Sequence, residues 1–267
     1  MKFSNLLCMT AIATAMIVGT SVAPAQDGSL SNDPASREAL QRLKDLMKRI
    51  DPEVAIAKKQ IERGEVELAA TKLRAIIWDY ESEGAIYVAK AKTLLGDLEL
   101  RKGKNIEAYR LLASAKEWLH SDDLSATFEL ARLAIGENIG DGEYKPLIVL
   151  ERYNLIPGGL HPQDVPTVAS KVEAIGLVKL ARGTARYYSG RRSEALQDLL
   201  DSARVLPQQP LALYMLGTSM ARAGRFSESA NYFDRASQLG HEKLKDQAIA
   251  MRDKMNALAA KNGNKRG

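Results

Sequence analysis

The chain has one cysteine, few aromatic residues and few histidines. Among its 267 residues the cysteine is Cys8, only 6% are aromatic, and the histidines are His120, His161 and His241. With its one thiol so near the N-terminus, the rest of the chain has neither a disulfide nor a thiolate metal site, which suits an oxidising compartment. The three histidines lie far apart in sequence, and no HExxH, G-x-S-x-G or Walker sequence occurs. Zinc, serine-hydrolase and nucleotide chemistry therefore lack a motif to stand on. His120-Ser121-Asp122-Asp123 gathers triad residue types, but adjacent residues cannot act as nucleophile, base and orienter. Those residues read instead as the N-cap of a helix from Leu124 to Glu137. Carboxylates are plentiful and none is placed by a motif, so no glycosidase pair can be assigned. Gly136, Gly140 and Gly142 lack the preceding strand of a phosphate loop and read as turn glycines. The expectation is a non-enzyme with no cofactor and no metal.

Alternating runs of Val, Ile and Thr are also missing, which removes the signature of half-buried strands. Ala, Leu, Glu, Lys and Arg dominate, and 45% hydrophobic residues suffice for a continuous helical core in one or two domains. The 38 basic and 33 acidic side chains leave a net charge of +5. That excess is mild and forms no phosphate-binding stripe, so nucleic acid is not an expected partner.

Residues 1–25 read as a secretory signal peptide. Lys2 supplies the positive start, Leu6 to Thr20 the apolar run, and Ala23-Pro24-Ala25 an A-x-A cleavage site after Ala25. The run is shorter than the roughly 20 residues of a membrane span. Cys8 lies near its start, where no lipobox would place it. An uncleaved anchor is the competing reading. Cleavage would remove one charge, Lys2, leave +4, and put the mature chain in the periplasm or outside the cell with no stable membrane span. Residues 26–33 form a polar, flexible leader.

What the chain has in abundance is a repeated spacing. Gly183, Gly190, Ala195, Leu199, Ser202 and Pro207 are followed, 34 residues on, by Gly217, Gly224, Ser229, Phe233, Ala236 and His241. A period of that length marks helix-turn-helix units that must stack to bury their apolar faces. Two earlier units carry the same marks: Ala57, Gly64, Ala69, Leu73 and Ile76, then Gly96, Gly103, Ala108, Leu112 and Ala115. In all four, the three marks after the turn glycine follow it by 5, 9 and 12 residues. Each mark has a mechanical reason. The small residue in the first helix admits its partner closely, the next glycine suits a left-handed turn, and the Leu or Phe fills the gap. The fold class expected is all-α, an α-solenoid of about five units plus capping helices.

The rest of the chain is organised around these units. Asp33-Pro34 and Asp51-Pro52 each carry an acidic N-cap with proline at the first helical position, so a capping helix precedes a second helix start. Residues 34–155 then hold the cap, two units and a degenerate third, whose second helix begins near Glu143. Residues 156–166 contain three prolines and two glycines and form an insertion, which reads first as a connector. Residues 167–260 hold a long helix from Thr167 to Ser189, the two clearest units, and an amphipathic cap from His241 with Leu244, Ala248, Met251, Met255 and Leu258 on one side. Residues 261–267 form a basic, disordered tail.

Leu216-Gly217, Gly224-Arg225-Phe226 and Phe233, with Gly190-Arg191-Arg192-Ser193-Glu194-Ala195 and Pro207, resemble the tetratricopeptide repeat family over about 190 residues. The family's usual large residue early in the first helix is absent, since Lys92 and Lys179 stand there. Its usual tyrosine is replaced by Glu99, Arg186 and Met220. The resemblance implies a groove lined by the first helices. Its positions would be Lys90, Thr93, Asp97 and Arg101, then Leu180, Thr184, Tyr187 and Tyr188, then Leu211, Tyr214, Thr218 and Arg222. The pairs Thr93/Asp97, Leu180/Thr184 and Tyr214/Thr218 do not match the lysine–asparagine clamp that holds C-terminal carboxylates. Lys90, Asp97, Arg101, Tyr187, Tyr188, Tyr214 and Arg222 are the candidate contact residues, Tyr and Arg being enriched at binding hot spots. Trp78 and Trp118 read as packing residues. The function expected is an exported scaffold or adaptor binding a protein or peptide of an envelope assembly. The other reading is a module for an envelope polymer or an anionic lipid surface, suggested by the basic tail.

Overall fold

The computed structural model describes residues 34–137 and 170–263 and, between them, positions 146, 150, 152, 153, 155, 156, 159, 161–164 and 168. The expected signal peptide and leader, Gly140, Gly142, most of the expected second helix of the third unit, and residues 264–267 of the expected tail lie outside the described residues. Among the described residues all regular structure is helical, and the chain divides into two compact units, Met1–Ile135 and Gly136–Gly267.

The first unit contains α1 (Pro34–Glu62), α2 (Val66–Tyr80), a 3-10 turn (Glu81–Glu83), α3 (Ala85–Arg101), α4 (Asn105–Lys116) and α5 (Asp122–Ala134). Each helix packs on the next, and α1 also reaches α3. Ile50, Val54, Ala57, Ala69, Leu73, Ile76, Leu95 and Leu98 form one core cluster; Leu112, Leu124, Phe128 and Ala131 form another. As the sequence predicts, Ser121 caps α5: its Oγ accepts from the Leu124 N–H at 3.2 Å. The helix starts at Asp122 and ends at Ala134, short of Glu137.

One expectation fails here. Asp51-Pro52 does not start a new helix, because α1 runs through Pro52 for 29 residues. A proline inside a helix costs about 3 kcal/mol through its lost hydrogen bond and ring clash. Contacts distant in sequence offset that cost. Ile50, Val54 and Ala57 are buried on one side, and burying side chains of Ile and Val size contributes about 1.5–3 kcal/mol each. Lys90 Nζ donates to Asp51 Oδ1 at 2.8 Å, and Lys72 pairs with Glu53, so both neighbours of Pro52 are tied to other helices.

The second unit contains a 3-10 turn (Pro162–Asp164), α6 (Lys171–Tyr188), α7 (Arg192–Val205), α8 (Pro210–Arg222), α9 (Phe226–Leu239) and α10 (Glu242–Gly263). Consecutive helices from α6 to α10 pack as neighbours, and α8 also touches both α6 and α10. Ser170 caps α6, its Oγ accepting from the Glu173 N–H at 3.2 Å. The last helix covers the apolar side of α9: Met255, Met251 and Leu258 pack with Ala230 and Phe233.

The repeated marks have the physical roles their spacing suggests. Gly64, Gly103, Gly190 and Gly224 have φ of +80°, +76°, +82° and +76°. After each, the next N–H reaches back five residues, to the carbonyls of Gln60, Glu99, Arg186 and Met220 at 2.9–3.0 Å, closing the same C-terminal motif four times. Gly96, Gly183 and Gly217 lie at the helix crossings. A Cβ there would stand 2.7 Å from Leu112 Cγ, 2.8 Å from Leu199 Cγ and 3.1 Å from the Phe233 ring. The first helix can approach its partner only because that carbon is missing.

Candidate partner-binding surfaces

On α3 the spacing Lys90, Thr93, Asp97, Arg101 puts four groove candidates on one helix face. The structure gives them unequal availability. Lys90 is half-buried against Asp51, and Thr93 Oγ1 donates to the Ala89 carbonyl at 2.9 Å. Asp97 is buried and accepts from Arg101 Nη2 at 2.6 Å, while Arg101 itself is exposed. Beside this face lies a charge network whose pairing the sequence did not show. Lys92 is buried with its Nζ 2.7 Å from Glu81 Oε1, and the fully buried Glu99 carboxylate is paired with Arg74 and, at 3.3 Å, with Lys104. The long alkyl stem of Lys92 fills space while its head finds an acid, which is how a lysine can occupy an inner position.

In the second unit the tyrosines come together. Tyr187 and Tyr188 meet edge to face at 5.3 Å, and Tyr188 stacks on Tyr153 at 4.9 Å. Tyr214 packs edge-on against Phe233 at 5.4 Å and its hydroxyl lies 3.3 Å from Gln247 Oε1. Burial raises the Tyr214 phenol above its usual range, and the Tyr188 and Tyr187 phenols push in the same direction. Burial, then Tyr187, raises Tyr188 as well. Tyr188 and Arg222 are exposed, Tyr187 and Thr218 are half-buried, and Leu180, Thr184 and Leu211 are fully buried. Tyr153 and Gln247 were not legible as members of this surface, because their partners lie 35 and 33 positions away in the chain.

Behind this face α6 is held to α7 by buried ions. Asp198 accepts from Arg182 Nε at 2.9 Å, from Arg182 Nη2 at 2.6 Å and from Arg186 Nη1 at 2.9 Å. Arg186, only 1% exposed, also approaches Glu194. Two guanidiniums around one carboxylate are strong, charge-assisted contacts that fix the rotation of α6.

Two readings need correction. Trp78 does not pack: it is 86% exposed on α2, whereas Trp118 is half-buried. The histidines are not all dispersed either. His161 and His241 stack at 5.1 Å, and Asp164, fully buried, accepts from the His241 backbone N–H at 3.1 Å with its Oδ1 3.0 Å from His241 Nδ1. Among the described residues no group of three or more His, Cys, Asp or Glu could hold a metal ion, and no helix is long and apolar enough to cross a membrane.

No protein-family model matches the chain, and comparison with curated proteins gives no match. Among solved structures the chain is similar to YrrB, described as a TPR protein with an unusual peptide-binding site. Identity is 15%, the match covers 79% of this chain and 97% of that one, and the TM-score is 0.33.

Proposed function

We propose that this protein is an exported, non-enzymatic helical-repeat scaffold or adaptor that binds a protein or peptide of a cell-envelope assembly. The observation that carries the reading is the gathering of tyrosines with an exposed arginine on the first helices of the second unit: Tyr187 and Tyr188 on α6, Tyr214 and Arg222 on α8. Large, amphipathic rings with hydroxyls at their edge bury area at low entropic cost, and arginine adds directional hydrogen bonding. The leader supports export, since it has the charged start, apolar run and A-x-A site of a cleaved signal.

Affinity capture from envelope extracts tests the binding. A specific partner should be retained by the native chain and lost with Tyr187→Ala and Arg222→Ala together; capture indifferent to both changes refutes this surface. Mass determination of the exported chain tests the leader. A mature N-terminus at Gln26 is expected, and an intact Met1 end in the exported protein would refute cleavage.

A further inference from the structure

The outer face of α2 is apolar, although the repeat does not ask for it. Leu68, Thr71, Ala75 and Trp78 stand at i, i+3, i+7 and i+10, one stripe along the helix. Leu68 is 55% exposed and Trp78 86%, and the two residues between them are exposed as well. On α9 the same four positions, counted from the turn glycine, hold Glu228, Asn231, Arg235 and Gln238, again all exposed. The hairpin folds with a polar stripe there, so the apolar one on α2 answers to something other than the hairpin's own packing.

The stripe has the features of a seam between two helices. Its alternation of three and four residues is the spacing at which paired helices meet. The middle is small and the ends are large, so two backbones can approach at Thr71 and Ala75 while Leu68 and Trp78 close the ends. The Thr71 hydroxyl donates to the Glu67 carbonyl at 3.0 Å, so covering it strands no donor. Charge then selects the occupant. Lys72 and Asp79 flank the stripe on one side, Glu67 and Arg74 on the other. In an antiparallel pair each flank meets its own counterpart. Lys72 of one copy then lies beside Asp79 of the other, and Glu67 beside Arg74, each twice. Within the chain Asp79 has no ionic partner among the described residues, whereas Lys72, Arg74 and Glu67 pair with Glu53, Glu99 and Lys102. A parallel pair would instead set Trp78 on Trp78 and gather the acidic ends of both copies, Asp79, Glu81 and Glu83.

We infer that α2 is a self-association surface: two copies pair antiparallel through it, Leu68 of each against Trp78 of the other and Thr71 against Ala75. This surface lies in the first unit and does not depend on what the tyrosines of the second unit bind. A single helix pair buries less than the roughly 1,200 Å² of a standard interface, so the dimer is weak, with a dissociation constant of the order of 100 µM. Where the partner reading also holds, one dimer carries two copies of the partner surface and gains avidity for a multivalent assembly.

Sedimentation equilibrium of the full chain, from about 5 µM to about 500 µM, tests the pairing. A monomer at the low end and mostly dimer at the high end are expected, with iodide quenching of Trp78 falling in step. Leu68→Glu/Trp78→Gln copies the residues that α9 already carries, so the hairpin keeps its fold; it should weaken association about tenfold or more. Asp79→Lys and Lys72→Glu should each weaken it alone, and mixing the two variants should restore it, because the mixed pair has opposite charges at both contacts. A native chain that stays monomeric at the highest concentration overturns the inference, as does a dimer indifferent to Leu68→Glu/Trp78→Gln. Mixed variants that fail to associate refute the antiparallel register. Protection of Trp78 only when a foreign protein is added assigns the stripe to that protein and refutes the second copy. Should a variant lose its helical circular dichroism, the concentration dependence of Trp78 quenching in the native chain decides. Capture of an envelope partner is read separately, through Tyr187 and Arg222, so either reading can fail without the other.

Discussion

Gly96→Ala isolates the role of the missing Cβ at a helix crossing. On propensity alone the change stabilises, because alanine is favoured over glycine in a helix by about 1 kcal/mol. The new methyl would lie 2.7 Å from Leu112 Cγ and 3.0 Å from its Cδ2. The nearer atom is the branch carbon of a fully buried residue and cannot swing aside as a chain end can. Overpacking of this kind costs about 1–3 kcal/mol, and so close a contact belongs in the upper part of that range. The net expectation is a loss of about 1–2 kcal/mol. In a Leu112→Ala background, itself destabilised by about 2–5 kcal/mol, the obstacle is gone and the nearest remaining atom is the Ala108 carbonyl at 3.4 Å. There the same substitution should stabilise by about 1 kcal/mol, giving a coupling of about 2–3 kcal/mol between the sites. Urea unfolding followed by tryptophan fluorescence reads this directly, since both tryptophans, Trp78 and Trp118, lie in the first unit. A Gly96→Ala protein more stable than the native one would refute the close-approach explanation of the repeated glycine.

Asp198→Ala removes the carboxylate between Arg182 and Arg186. Breaking a buried pair costs about 3–5 kcal/mol, so far-UV circular dichroism in urea should show the second unit unfolding early, and a loss below 1 kcal/mol would contradict the network. The Arg225 hydrogen bond holds the exposed Glu228 carboxyl below its ordinary value. A lowered folded value means the contribution is present above the unfolded pKa and is lost as pH falls through the folded one. An NMR titration should therefore find Glu228 low in the native protein and ordinary in Arg225→Ala; equal values would exclude the pairing. Trp78→Ser should change stability by less than about 0.5 kcal/mol and remove most of the iodide-quenchable fluorescence, because the quenchable indole is the exposed one; a large loss of stability would show that Trp78 packs.

The turn and crossing residues could be read from sequence because each acts within its own hairpin. Gly103 sets the turn, Gly96 admits Leu112, and Ala108 lies between them, all inside twenty residues of chain. The course of α1 through Pro52 was hidden, because the burial of Ile50 and Val54 and the ties from Lys90 and Lys72 come from other helices. Lys92 and Lys179 were visible as departures from the family's large residue. Their acidic partners, Glu81 and Asp201, were not, since charge pairing has no periodic signature. The stacking of Tyr153 on Tyr188 spans the irregular insertion, where no period carries register. The tyrosines could be named from sequence, and the pairing of Tyr153 with Tyr188 could not.

The four hairpins also provide an internal comparison of what the repeat requires. Counted from the turn glycine, four equivalent positions of the second helix are Glu107, Arg110 and Ser114 on α4 and Glu117 just after it. They are Glu194, Gln197, Asp201 and Arg204 on α7, and Glu228, Asn231, Arg235 and Gln238 on α9. On α2 the same positions hold Leu68, Thr71, Ala75 and Trp78, all exposed. Three polar stripes fold as well as the fourth, so the hairpin does not need apolar residues there, and α2 gains no packing from Trp78. The inward marks behave oppositely: Ala69, Ala108, Ala195 and Ser229 are all fully buried, and Ser229 differs only by adding a 2.7 Å hydrogen bond to the Gly217 carbonyl. Packing thus fixes the size of the inner residue in each hairpin. The residues that distinguish one hairpin from another differ in setting: Trp78 on α2 and Arg222 on α8 are exposed, so the fold supplies no reason for their identity, whereas Tyr214 packs against Phe233 and Tyr188 stacks on Tyr153.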